Sequence, residues 1–212
     1  MTRHALTERQ LLCDSLDRIG ADAPTLCEGW QTQDLAAHLY VREHRPDLAA
    51  GLFVSPLAER LEREQKAIAD GGFDALVEKV RDGAPAWNPT RLAKVDELVN
   101  LVEMFVHHED ILRAQPDWTA RPLSDEVQAA LWTNLKRSSR MLFRKSPTGI
   151  VLIGQGQGRH AAKLPDERGT VVLRGEPAEL VLYAFGRKDV AAVELEGDPA
   201  DVAALQETGL GA

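Results

Sequence analysis

The chain has 212 residues, 44% of them apolar, which is enough to bury packed cores in one large or two small domains. Its 25 basic residues against 33 acidic ones leave a formal charge of −8, which excludes general affinity for nucleic acid or an anionic membrane. No apolar run approaches the roughly 20 residues of a membrane span, MTRHALTERQ has no signal-peptide core, and Cys13 and Cys27 are too few for a disulfide framework. A cytoplasmic protein with reduced thiols is expected.

Thr7 followed by Gln10 reads as a capping box, and Leu12, Leu16 and Ile19 recur at helical spacing up to Gly20, so a first helix is expected over residues 8–19. After a turn-rich stretch, Thr32 offers an N-cap for the unbroken run DLAAHLYVREH. Pro56, Leu57, Leu61 and Ile68 predict a third helix as far as Gly71-Gly72, with a short helical piece from Asp74 to Arg81 beyond it. The loop GAPAWNP leads into a long helix predicted from about Lys94 to Ala114 and stopped by Pro116. Ser124 caps a last long helix through about Phe143, with Asp125 and Glu126 well placed against its dipole. These elements predict a helical bundle over residues 1–146.

From Pro147 the pattern changes to short β-branched runs, GIVLI and TVVLR, separated by GQGQGR, which lacks the Lys-Ser/Thr ending of a phosphate loop and reads as a hairpin turn. GEPAELVLYAFGR then predicts a helix closed by Gly186, AAVELEG a strand, and DPADVAALQET a final helix. The fold class is therefore α+β, with residues 147–212 as a small α+β domain.

The long helix carries the chemistry. At 100° per residue, Asp96, Asn100, Glu103, His107 and Asp110 fall within about 80° of one another, while apolar residues such as Leu98, Val99, Phe105 and Val106 cover most of the remaining circumference. Burying such a stripe costs several kcal/mol per group unless each is paired or coordinated. Arginines such as Arg42 and Arg113 could neutralise it, or the face could be solvated. Alternatively, Glu103 and His107, one turn apart, chelate a divalent ion. Such ligands suit zinc and equally nickel, iron or manganese. His38, beside Leu35 and Leu39 on the inward side of its helix, is the best third ligand, and three ligands leave a position for water or substrate. His108 points about 100° away from His107 and falls outside this set, whereas Asp110 and Asn100 are placed to orient ligands. His4, His44 and His160 are expected to be solvated, Cys27 to be a small packing residue, and the four tryptophans to close core surfaces.

The blocks WQTQDLAAHL and NLVEMFVHHED together resemble the metal-binding DinB-like domain of the actinobacterial mycothiol-dependent maleylpyruvate isomerase family, over most of residues 5–145. The resemblance implies a four-helix bundle whose His and Glu-x-x-x-His ligands correspond to His38, Glu103 and His107. It also implies a zinc-type centre binding a low-molecular-weight thiol such as mycothiol as a thiolate, for isomerisation or transfer on a small-molecule substrate. GEPAELVLYAFGR is similar to the sterol-carrier-like domain that follows in relatives, which makes Arg187 the corresponding catalytic arginine. Two other readings stay open: hydrolysis by metal-bound water, and a non-enzymatic carrier with a structural metal.

Overall fold

The computed structural model describes residues 3–49 and 58–211, which fall into two compact units, residues 1–120 and 121–212. Among the described residues there are ten α-helices and one four-stranded mixed sheet, and no helix is long and apolar enough to cross a membrane. The helix Asp125–Leu142 (α8), read from sequence as part of the bundle, belongs to the second unit, so the division falls before this helix rather than after it.

In the first unit, α1 (His4–Ile19) starts one turn earlier than its sequence suggests. Thr7 lies inside the helix, and its hydroxyl donates to the Arg3 carbonyl at 3.2 Å, so its apparent capping signal is spent on the turn before it. The open N–H of Ala5 is satisfied by Glu97 Oε2 at 3.0 Å. α2 (Thr32–His44) has Gln31 rather than Thr32 at its N-cap, with the Gln31 N–H donating to Asp34 Oδ2 at 3.0 Å, while the Thr32 hydroxyl reaches the Gly20 carbonyl. A short α3 (Pro46–Ala49) follows. The third predicted helix is present as α4 (Ala58–Ala69); the expected start at Pro56 and Leu57 lies outside the described residues. Gly72, at φ 118°, makes the turn into α5 (Phe73–Asp82), a backbone angle that side chains other than glycine rarely tolerate.

The long helix predicted from Lys94 is two helices, α6 (Ala93–Val99) and α7 (Leu101–Leu112), meeting at Asn100. The break explains a second difference. Leu98 and Val99, expected on a buried circumference, are exposed at the end of α6, while Met104, Phe105, Val106 and Ile111 of α7 are buried. Trp87 also departs from its expected core position, being 60% exposed.

The core of this unit is shared by five helices. Leu12 and Leu16 of α1, Leu35 and Leu39 of α2, Ala69 of α4, Leu76 and Val80 of α5, and Met104 and Ile111 of α7 form one buried cluster. Leu39 follows His38 directly, so packing and site share a helix. Leu39→Ala is expected to cost about 2–5 kcal/mol in a denaturant melt, the range for a fully buried leucine.

In the second unit Ser124 caps α8, its hydroxyl accepting from the Val127 N–H at 3.4 Å. Strands β1 (Gly149–Gly154), β2 (Gly158–Lys163), β3 (Thr170–Gly175) and β4 (Glu194–Glu196) lie in the order β2-β1-β3-β4. β1 pairs antiparallel with β2 and parallel with β3, and β3 pairs antiparallel with β4. The glycine-rich GQGQGR is the β1–β2 hairpin, with Gly156 at φ 69° and Gly158 at φ 103°. Between β3 and β4, α9 (Pro177–Ala184) is buried along its whole length against β1, β3 and α8, and α10 (Pro199–Glu207) packs on β3. His160, expected to be solvated, sits in β2 with its Nε2 3.0 Å from the Ser139 hydroxyl.

Candidate metal centre

α2 and α7 bring His38, Glu103 and His107 together within the first unit. The i, i+4 spacing stacks Glu103 under His107, leaving His107 Nε2 3.2 Å from Glu103 Oε1. His38 Nε2 approaches the same oxygen at 3.4 Å, and the three donor atoms all lie within 4.8 Å of one another. Donors bound tetrahedrally at the usual zinc distances, near 2.1 Å, would stand about 3.4 Å apart. The observed separations to Glu103 are therefore those of ligands able to share one ion. The His side chains are each 12% exposed and Glu103 21%, so the group is sheltered without being sealed.

Behind His107 stands Asp110, fully buried, its Oδ2 accepting the His107 Nδ1–H at 2.9 Å and the Cys27 thiol at 3.3 Å. This keeps the Nδ1 proton in place, so that loss of the second proton would free Nε2, beside Glu103, for a metal ion, the arrangement expected behind a ligating histidine. The loop between α1 and α2 is stitched to the same residue, since the Leu26 N–H donates to the Asp110 carbonyl at 3.0 Å. Cys27 thus reaches the site's edge through loop geometry that its sequence neighbours do not announce, and it also forms a second potential ligand group with His107 and Asp110. Cys13, by contrast, is deep in the core, where burial pushes its thiol up to about 12.

His38 is less well prepared. Its ring packs against Trp30 at 5.2 Å and against His107 at 5.1 Å between centroids, but its buried Nδ1 has no hydrogen-bond partner. In the metal-free protein the proton therefore belongs on Nε2, facing Glu103. Coordination would move it to Nδ1, where a buried unsatisfied donor costs about 1–3 kcal/mol. Asp110→Asn is consequently expected to weaken metal binding about 10- to 100-fold in a competitive chelator titration, since it degrades the better-held histidine.

Asn100 differs from the sequence expectation. It touches none of the three donors. Its amide donates to Glu43 Oε1 and Asp96 Oδ1 at 2.8 Å each, and its Oδ1 accepts from Arg42 Nη1 at 3.2 Å. Arg42, whose Nε is 3.2 Å from Glu103 Oε1, links it to the site. Glu43 and Asp96 are in turn faced by Arg9, with Arg9 Nη2 2.5 Å from Glu43 Oε1 and 3.6 Å from Asp96 Oδ1. The polar stripe thus has two halves: an arginine-neutralised end at Asp96 and Asn100, and an imidazole end at Glu103 to Asp110. Arg42 supplies part of the neutralisation that the sequence also allowed, whereas Arg113 pairs with Glu109 at 2.6 Å.

His108 stands outside the donor group, as its direction on the helix predicts. Its Nδ1 lies 2.7 Å from Glu8 Oε1 and its Nε2 2.9 Å from the Ser15 hydroxyl, all three residues buried. This has the connectivity of a hydrolase triad, but Ser15 is mid-helix, where the neighbouring N–H groups are spent on the α1 ladder and none is left for an oxyanion. The network pins α1 to α7. Arg187, in the second unit, is half-buried; its guanidinium donates to the Phe185 carbonyl at 2.6 Å, and its own N–H caps α9 at the Leu182 carbonyl.

The electrostatics favour charge at this site. Burial would raise the Glu103 carboxyl, but hydrogen bonds from His107 and His38 and the charge of Arg42 outweigh it and hold it well below its ordinary range. Burial would likewise lower His107, yet its bonds to Asp110, Cys27 and Glu103 keep its imidazolium well above the usual value. Burial dominates at His38 and lowers it, so that ring is neutral near pH 7. Metal uptake must then expel a proton from His107. Binding is expected to tighten as pH rises from about 6 toward the raised His107 value and to release about one proton per ion, measurable by calorimetry in buffers of different ionisation enthalpy. Affinity independent of pH across that window would contradict the assignment.

The chain superposes on the crystal structure of a histidine-to-alanine variant of mycothiol-dependent maleylpyruvate isomerase with a TM-score of 0.58 and 17% identity, covering 92% of this chain and 96% of that one. At that identity the likeness is one of fold. No protein-family model and no curated protein matches the sequence.

Proposed function

We propose that this protein binds one divalent ion, zinc first and nickel, iron or manganese as alternatives, through His38 Nε2, Glu103 Oε1 and His107 Nε2, and that it is an enzyme of thiol chemistry. The observation that carries the reading is the convergence of both imidazoles on one Glu103 oxygen at 3.2 and 3.4 Å, with Asp110 locked behind His107. A bound cation of this kind lowers the pKa of a coordinated thiol, so that it reacts as thiolate at neutral pH. The chain's own residues would bind that ion, hold His107 in one tautomer through Asp110, and limit water through the half-buried Trp30 and the α1–α2 loop. The thiol is proposed to be a low-molecular-weight one of the mycothiol type, and the reaction an isomerisation or transfer on a small-molecule substrate. What supports this part is the shared fold with an enzyme that depends on mycothiol.

The test is turnover of candidate substrates by zinc-loaded protein with and without added thiol. Activity that requires thiol supports the reading; equal activity without it would assign hydrolysis by metal-bound water instead. Protein that holds neither metal nor thiol but carries apolar ligand would favour a binding module. Arg187 enters the proposal only if Arg187→Ala loses thiol-dependent turnover while keeping its metal.

A further inference from the structure

The two ring nitrogens of His107 face different carboxylates. Nε2 stands 3.2 Å from Glu103 Oε1 in the donor group described above, while Nδ1 stands 2.9 Å from Asp110 Oδ2. On the Nδ1 side the same Asp110 oxygen accepts the Cys27 thiol at 3.3 Å, and the donor atoms of Cys27, His107 and Asp110 all lie within 4.8 Å of one another. Each side of the ring therefore has two donors converging on one carboxylate oxygen. The thiol is placed by its loop. The Cys27 N–H donates to Thr25 Oγ1 at 3.2 Å, the Cys27 carbonyl accepts from the Trp30 N–H at 3.0 Å, and the Leu26 N–H donates to the Asp110 carbonyl at 3.0 Å. Asp110 is fully buried and Cys27 half-buried, so this group opens on the Cys27 side.

An ion bonded tetrahedrally at about 2.1 Å to nitrogen and oxygen and about 2.3 Å to sulfur sets those donors about 3.4 and about 3.6 Å apart. The 2.9 and 3.3 Å separations to Asp110 would have to widen by about half an ångström or less. A thiolate and a carboxylate together carry two negative charges, which match a divalent ion in a buried place, whereas His38, Glu103 and His107 supply one. Sulfur also makes this the softer group, suited to thiophilic ions. An ion entering it takes the place of the Cys27 thiol proton and the His107 Nδ1 proton, both passing to solvent, and the Nε2 proton stays on the ring facing Glu103. A neutral imidazole has a single ring lone pair to give, so His107 serves one group at a time.

We propose that Cys27 Sγ, Asp110 Oδ2 and His107 Nδ1 form a second cation site, selective for thiophilic divalent ions, and that its occupation and that of the His38, Glu103 and His107 group exclude each other. The site goes beyond the metal-and-thiol reading and needs neither thiol cofactor nor substrate.

Cadmium chloride titrated into the zinc-loaded chain tests this, followed by sulfur-to-cadmium charge-transfer absorption in the ultraviolet and by zinc released to a chromophoric chelator. The band is expected to saturate near one cadmium per chain, with about one zinc released for each. Cys27→Ser, which keeps Cys13, should lose the band and need at least about tenfold more cadmium to release its zinc. His38→Ala, which takes a donor from the first group alone, should keep the band. Cadmium bound without the band, a band that survives in Cys27→Ser or is lost in His38→Ala, or zinc retained beside saturating cadmium overturns the inference and leaves the first centre standing. A full band in a chain that takes up no zinc overturns the first centre, and the exclusion with it.

Discussion

His107→Ala is expected to strip the purified protein of its metal. Wild-type chain prepared without metal supplementation should carry close to one equivalent by mass spectrometry, and the variant should fall below about a tenth of that, with affinity reduced by more than the roughly 100-fold upper range for loss of a supporting residue. The reason is that His107 is the donor with the most invested in it. Its Nδ1–H is held by a fully buried carboxylate, its Nε2 stands 3.2 Å from Glu103, and its removal also takes the imidazole donor from buried Asp110. His38→Ala should cost less, since the His38 Nδ1 has no partner to prepare the ring for coordination. Metal content unchanged in His107→Ala would remove the assignment of the centre.

The second large effect is on stability. Arg9→Met is expected to destabilise the first unit by about 3–5 kcal/mol, read as a lowered denaturant midpoint. Arg9 and Glu43 are paired with side chains 3% and 2% exposed, and Arg9 also donates to the Val80 carbonyl at 3.0 Å, tying α1 to α2 and α5. Replacing the arginine alone strands Glu43 and Asp96 in the interior with only the Asn100 amide as a shared donor. Combining it with Glu43→Leu should recover part of the loss, because removing both charges leaves less to desolvate. A single variant losing less than about 1 kcal/mol would show that water reaches these carboxylates.

What the sequence reveals about this site follows from helix geometry. The i, i+4 relation of Glu103 and His107, and the inward position of His38 between buried Leu35 and Leu39, are properties of single helices and can be read from spacing. The contacts that complete the picture join elements distant in the chain. Arg9 meets Glu43 and Asp96, Glu8 meets His108, and Cys27 meets Asp110, and no local periodicity encodes such pairs. Asn100 illustrates the difference: its place on the stripe is legible, but its partners depend on how α1 and α2 pack, so its expected contact with a ligand gave way to Arg42. Unit boundaries suffer similarly. The apolar stripe of α8 signals burial, but only tertiary packing assigns that stripe to the second unit, where it meets α9 and β2.

The adjacent imidazoles of α7 make the rotation of that helix a single all-or-nothing setting. His107 serves the donor group while His108 is anchored to Glu8 and Ser15 on α1. Deleting one residue between Leu101 and Val106 would turn the remainder by about 100° relative to its start, moving His108 to the address of His107 and His107 to that of Val106. For anyone grafting this centre onto another scaffold, the pair must travel together with its α1 counterpart, because copying the donors without their anchor transfers the ligands and loses their bearing.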